Sequence, residues 1–393
     1  MTNIAVKIPE DKLVALRDHF AARQDHLLSF IRALVETESP SGDEAGSRAV
    51  VTLLAEEAKT IAAVNSVERI PVPGFGEHLR IRAYAEAGDE RPIVLLGHTD
   101  TVHPRGSVAG RPWRVEDNRI YGPGIFDMKS NCALALEILR AFEATGAGPA
   151  RPVTLLFMCD EESGSVNGRA VVEAEAKNAQ AVLVIEPSAS GGRAKTGRKG
   201  TGMFTFEVHG RAAHAGLDPE KGVNAVLELA RQTVRLHQLN DPKNGTNVTV
   251  TIFNGGGTTS NVVPALATAE VDMRFMSLDL GAAVEHDVLH SKPFDSRAQV
   301  IVTGGINRPP LERTPKVVEL YQSARAIAAQ LSFDLGETTV GGGSDGNFVG
   351  ALGVPVLDGL GIEGDGAHAA HEHIITDNIA TRGAMLAGLI ASL

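Results

Sequence analysis

Three acidic residues in a row, Asp160, Glu161 and Glu162, follow closely on the apolar run "VTLLFM", and the run "IVLL" ends on Gly-His-Thr-Asp, which places His98 and Asp100 two residues apart. Glu186 follows "AVLVI", and His368, His371 and His373 crowd into "GAHAAHEH" beyond "VPVL". Asp127 stands in "GPGIFDMK", just ahead of an apolar helical pattern. Carboxylates and imidazoles with no cysteine among them are the donor set of zinc or a similar divalent ion. Carboxylates gathered in one place also repel each other and raise their own pKa values unless cations neutralise them. Two divalent ions would bring four positive charges against the three negative ones of Asp127, Glu162 and Glu186, so one hydroxide would leave the centre neutral. Lowering the pKa of water to make that nucleophile is what such a pair of ions does, held about 3.5–4 Å apart. One carboxylate must then bridge the pair, and spacing alone leaves open which.

These groups are scattered from His98 to His373, so something must gather them. Each acid or histidine of the set except Asp127 follows an apolar strand pattern, and in an open α/β sheet the carboxyl edge of the strands is where ligands bind. The first half of the chain alternates helical periodicity near Asp11 to Val35 and Glu44 to Ala58 with apolar runs near Ile93, Val153 and Ala181. In "DMKSNCALALEILRAFEATG", Leu134, Ile138, Leu139 and Phe142 recur at helical spacing up to Gly146, which reads as a crossover helix. An α/β domain with a mostly parallel sheet covered by helices follows. After "SASGGRAKTGRKG" the order becomes βαββαβ, from strand "MFTFEVHG" through helix "GVNAVLELARQTVRLHQL" to strand "AQVIVTG", the signature of an inserted ferredoxin-like unit. The α/β pattern resumes at about Arg308 with a helix near Lys316 to Gln330, the loop "GGGSDGN", the strand "GVPVLDG" and a terminal helix from Asp377. The expected division is therefore a discontinuous, catalytic-looking domain from residues 1–197 and 308–393, interrupted by an inserted domain at 198–307.

Composition limits the alternatives. With 393 residues, 43% of them hydrophobic, the chain is long enough for two cores, and a net charge of -11 argues against a nucleic-acid partner. Two cysteines cannot make a disulfide framework and suit a reducing compartment. The opening residues carry no secretory pattern and no stretch is long enough to span a bilayer, so the expectation is a cytoplasmic protein without a membrane partner.

Eight motifs in this order, "GHTDTV", "GPGIFDMK", "DEESGS", "IEPS", "GRAAHAG", "SNVVPA", "GGGSDG" and "GAHAAHE", resemble the co-catalytic two-zinc metallopeptidases. That family includes glutamate carboxypeptidase, acetylornithine deacetylase, succinyl-diaminopimelate desuccinylase and aminoacylase, and the resemblance covers nearly the whole chain. It implies two zinc ions per subunit, with cobalt or manganese as substitutes: His98 and Glu186 on one, Glu162 and His368 on the other, and Asp127 bridging. His368 is preferred over His371 because the family's ligand usually stands four or five residues before a glutamate, here Glu372. The resemblance further implies Glu161 as general base, Asp100 as the group orienting His98, and a cis peptide between Asp127 and Met128. It implies a lid that also dimerises, with His214 stabilising the oxyanion in the neighbouring subunit, and Asn261 and Arg274 gripping substrate. Gly343 and Ser344 would offer backbone donors to the substrate's carboxylate. Arg198 and Lys199, at the hinge, are either anion contacts or solvated linker charges. The glycine loop lacks the lysine and spacing of a nucleotide-binding loop.

The activity implied is hydrolysis of an amide next to a free α-carboxylate, most like glutamate carboxypeptidase. An N-acyl-amino-acid deacylase or dipeptidase is the alternative within the class. A two-metal phosphoesterase is disfavoured because the rim has no basic clamp, and a non-catalytic metal-binding protein because a non-ligand acid such as Glu161 would have little use there.

Overall fold

The computed structural model describes residues 8–87, 91–257 and 259–393. Along the chain the main elements are helices α1 Glu10–Ala22, α2 Gln24–Glu36 and α3 Glu44–Lys59, strands β1 Val64–Val72, β2 Gly76–Ala83 and β3 Ile93–His98, helix α4 Ser130–Thr145, strand β4 Val153–Met158, helix α5 Arg169–Lys177 and strand β5 Ala181–Val184. There follow β6 Gly200–His209, α6 Ala225–His237, β7 Asn247–Gly255, β8 Leu266–Phe275, α7 Leu278–Leu289, β9 Gln299–Arg308, α8 Pro315–Gln330, β10 Val356–Leu357 and α9 Ile379–Ser392. They form two compact units. One runs up to Gly197 and adds Arg313–Val340 and Ser344–Leu393; the other is Arg198–Glu312 with Gly341–Gly343.

The larger unit is built on a six-stranded sheet in the order β1-β2-β4-β3-β5-β10. Strand β3 is parallel to both neighbours, β4 and β5, and β10 is parallel to β5. Every residue of β3, β4 and β5 is buried, which is why they read as unbroken apolar runs rather than alternating ones. Helix α4 returns the chain from β3 to β4 and ends at Gly146, whose φ of 60° gives the left-handed cap that glycine adopts without a Cβ penalty. Leu155 lies between Ile81 and Leu95 on the neighbouring strands and is fully buried. Truncating it to alanine is expected to cost about 2–5 kcal/mol of stability, read as a lower urea midpoint at unchanged slope.

Two features of this unit depart from expectation. The helical stretch near Asp11 to Val35 is two helices, broken at Arg23, where φ -105° and ψ 8° leave the helical region. The hairpin β1–β2 had no clear signal, because β1 is mostly solvent-facing and carries no apolar alternation.

In the smaller unit the four strands lie in the order β7-β8-β6-β9 with every neighbouring pair antiparallel, which is the ferredoxin-like arrangement. Alternation along β6 buries Phe204, Phe206 and Val208 while Met203 faces out, and Leu229, Leu236 and Val288 of the two helices close the core. Strand β9 pairs with β6 as far as Arg308, and Leu311 then bridges to Arg198, so 308–312 packs with this unit rather than with the larger one.

Candidate metal centre

Strand β3 is a central, doubly flanked strand, and its last residue is His98, 1% exposed. Beside it β4 leads into Asp160 and a single tight turn, Glu161–Ser163, and β5 leads through Ile185 into Glu186. Asp127 lies in the turn Ile125–Lys129 that starts α4, and its peptide bond to Met128 is cis. His368 comes from the loop after Gly364–Asp365, with φ 65°.

The sheet edge gathers these groups from both sides of Asp127. Nε2 of His98 lies 3.1 Å from Asp127 Oδ1 and 3.4 Å from Glu186 Oε1. Nε2 of His368 lies 3.4 Å from Asp127 Oδ2 and 3.1 Å from Glu162 Oε2. The two oxygens of one carboxylate therefore face two separate histidine–glutamate pairs. Glu161 also comes close: it offers an oxygen within 4.8 Å of donor atoms of His98 and Glu186.

The donor chemistry fits divalent cations. Nδ1 of His98 is 3.0 Å from the main-chain oxygen of Asp100, which can only accept, so Nδ1 carries a proton and Nε2 is the nitrogen turned to the carboxylates. In the metal-free chain burial alone would lower the His98 pKa, but hydrogen bonds to Asp100, Asp127 and Glu186 outweigh it and hold it well above the ordinary value. Hydrogen bonds to Asp127 and Glu162 push His368 up to about 10. Burial, with the nearby charge of Asp127, raises the Glu162 carboxyl, while Asp127 is held well below the usual range because hydrogen bonds from His368 and His98 overcome its burial. A field that draws protons onto two imidazoles is one that holds cations. Glu162 Oε1, moreover, is buried and has no hydrogen-bond partner among the described residues, a vacancy of chemistry that a ligated ion satisfies.

Asp100 is fixed more tightly than its expected role requires. Its carboxylate stands 3.4 Å from His98 Nδ1, farther than its own main-chain oxygen. The carboxylate accepts instead from Ser41 Oγ at 2.6 Å and from the backbone N–H groups of Glu161 at 3.2 Å and Glu162 at 3.1 Å. It thus holds the turn that carries both glutamates. Ser41 had no periodic or motif signal to mark it.

The other expected site residues sit as follows. Ser344 is fully buried in the larger unit; its N–H donates to Asn347 Oδ1 at 3.0 Å and its hydroxyl to Asp358 Oδ2 at 2.6 Å. Both donors are engaged within the larger unit. In the smaller unit, His214 is exposed and its Nδ1 accepts from the N–H groups of Gly216 and Leu217, each at 3.1 Å, which leaves the ring proton on Nε2. Asn261 is exposed beside it, its carbonyl accepting from Ala215 N at 2.8 Å. Arg274 on β8 is engaged by Asp272, Nη2 to Oδ2 at 2.7 Å. The carbonyl of Gly343 accepts from Arg198 Nη1 at 3.0 Å, and Arg198 is buried, while Lys199 Nζ donates to Asn247 Oδ1 at 2.6 Å. Both side chains of this pair thus have partners within the smaller unit.

Known proteins resemble the chain over most of its length. The model of "Peptidase family M20/M25/M40" matches residues 94–392. Carboxypeptidase G2 of Pseudomonas sp. (strain RS-16) is 31% identical over 377 residues, covering 94% of this chain and 90% of that one. A succinyl-diaminopimelate desuccinylase of Maricaulis maris is 32% identical over 323 residues, covering 76% and 80%. Among solved structures, the dipeptidase Dug1p of Saccharomyces cerevisiae superposes with a TM-score of 0.72 at 15% identity, covering 97% and 98%, a likeness of fold.

Proposed function

The chain belongs to peptidase family M20/M25/M40, and from that premise we propose that it is a two-metal carboxypeptidase cleaving an amide next to a free α-carboxylate, as a glutamate carboxypeptidase does. The observation that carries the metal reading is Asp127, with one oxygen turned to His98 and the other to His368. His98 and Glu186 would hold one ion, Glu162 and His368 the other, with Asp127 shared. Two zinc ions there, or cobalt or manganese in their place, would polarise the scissile carbonyl and lower the pKa of the attacking water.

Glu161 takes the proton from that water and passes it to the leaving amine. Asp100 keeps Glu161 and Glu162 in place by accepting their backbone N–H groups, which spares the carboxylates any reorganisation during proton transfer. His214 presents an Nε2–H donor suited to a developing oxyanion, supplied to the site of a second copy in a homodimer built through the smaller unit. Asn261 and Gly343 are polar contacts for the substrate, and Arg274 would trade Asp272 for the substrate's carboxylate. Both cysteines are free and buried, which suits a reducing, cytoplasmic setting, and no helix among the described residues is long and apolar enough to cross a membrane.

A deacylase or dipeptidase is the second reading, favoured by a desuccinylase relative as similar in identity as the carboxypeptidase. Assay of the purified, zinc-loaded chain against acyl-glutamates, other N-acyl amino acids, dipeptides and p-nitrophenyl phosphate separates these. Release of free glutamate is the expected result. Turnover confined to dipeptides or to succinyl amides would transfer the assignment to the second reading, and turnover of the phosphate ester alone would sink both. Treatment with 1,10-phenanthroline is expected to abolish hydrolysis, and added zinc to restore it.

A further inference from the structure

Outside the rim itself, one buried carboxylate is tied to it. Glu372 is 2% exposed, and its Oε1 accepts from the N–H groups of Phe126 and Asp127, each at 2.9 Å. Its Oε2 accepts from Gly124 N at 2.8 Å and lies 2.6 Å from His103 Nε2. Behind His103, Arg111 Nη2 stands 3.1 Å from His103 Nδ1. A guanidinium has donors only, so Nδ1 accepts and the proton on Nε2 is donated to Glu372. Arg111 Nη1 also donates to the carbonyl of Ala369 at 3.2 Å, next to His368. Hydrogen bonds therefore converge on Glu372 from two sides: Arg111 donates to His103 and His103 to the carboxylate, which also accepts from three backbone N–H groups at and just before the Asp127 turn.

Main-chain oxygens accept from Ile125 N and Lys129 N, while the N–H groups of Gly124, Phe126 and Asp127 turn to Glu372. Asp127 has φ -114° and ψ 91°, and Met128 φ -138° and ψ 33°, both outside the helical region, so their segment has no regular ladder to receive those N–H groups. The carboxylate of Glu372 receives them instead, and the same residue closes the loop that carries His368, four positions earlier. Asp127, at the middle of the centre, and His368, at one side of it, are thus tied to one side chain.

We propose that Glu372, backed by His103 and Arg111, is the positioning residue that sets the shared carboxylate of Asp127 in register with His368; this rests on reading those two as metal ligands. Alanine at 372 leaves three buried N–H groups and an imidazole N–H without their acceptor. Glutamine keeps one oxygen for Phe126 and Asp127 but turns an amide N–H₂ toward Gly124 and His103, donor against donor.

The test is zinc affinity, by competition with a chromophoric chelator, for the full-length wild-type chain, Glu372→Gln and Glu372→Ala, with kcat and KM measured at saturating zinc and folding followed by circular dichroism. The expected result is two zinc equivalents on wild type, affinity about 10- to 100-fold weaker in Glu372→Ala, a smaller loss in Glu372→Gln, and a fall in kcat with KM little changed. Wild-type affinity and kcat in a folded Glu372→Ala protein, with only its melting temperature lowered, would overturn the proposal and leave the ligand assignment intact. Wild-type protein that binds no zinc would overturn that assignment, and the proposal with it. Should Glu372→Ala fail to fold, Glu372→Gln decides: weakened zinc binding supports the proposal and unchanged binding overturns it.

Discussion

Replacing Glu161 with glutamine is expected to slow amide hydrolysis by about 10²- to 10⁴-fold, the usual contribution of a general acid–base, while the protein keeps its full metal content. The geometry makes this a sharp test, because Glu161 lies within 4.8 Å of donor atoms of His98 and Glu186 and could in principle serve as a ligand beside them. A ligand and a base respond differently. Glutamine retains size and one oxygen but cannot take a proton at working pH, so a base fails while the neighbouring ligands still hold the ion. Steady-state kinetics together with elemental analysis of the dialysed protein reads both quantities. Loss of zinc in step with loss of rate would make Glu161 a ligand and remove it from the proton-transfer role. Undiminished turnover would remove it from both.

Asp127→Ala is expected to have the largest effect of any single substitution, with zinc affinity falling by more than the about 10- to 100-fold ascribed to groups that only support a ligand. Both of its oxygens are engaged, one toward His98 and one toward His368, so its removal takes a donor from each half of the centre. It also leaves Glu162, Glu186 and two histidines without the group between them. Added zinc should raise the melting temperature of the wild-type chain, since an ion at about a hundredfold its Kd stabilises by about 2.7 kcal/mol. The variant should show no such rise at the same zinc concentration, and excess zinc should not restore its turnover. A full zinc-dependent shift in Asp127→Ala would place the ions elsewhere.

The rim was legible in the sequence because a buried parallel strand announces itself. "IVLL" has no alternation, so it must be covered on both faces, and a polar group at its exit must then point out of the carboxyl edge. The same logic placed Glu161, Glu162 and Glu186, and helical spacing from Leu134 to Phe142 gave the crossover that makes the strands parallel. The ferredoxin-like unit was legible for a related reason: its strands alternate and its two helices interrupt them in a fixed order. What stayed hidden depends on contacts between loops. Glu372 and Asp127 are 245 positions apart and meet through backbone N–H groups, which leave no trace in residue type or period. The resemblance pointed to Ser344 as a backbone donor, and nothing in its glycine-rich loop announced that Asn347 and Asp358 would be its partners. Asp100 was expected to orient His98; its main-chain oxygen lies nearest the ring, and its carboxylate, 3.4 Å from Nδ1, also fastens the Glu161–Glu162 turn, which no spacing announced.

The most direct test is anomalous diffraction at the zinc edge from crystals of the zinc-loaded protein. Two peaks are predicted on either side of the Asp127 carboxylate, one against His98 and Glu186 and the other against Glu162 and His368, with none at His371. A single peak held by His98, Glu161 and Glu186, or peaks that leave Asp127 without a metal, would contradict the account.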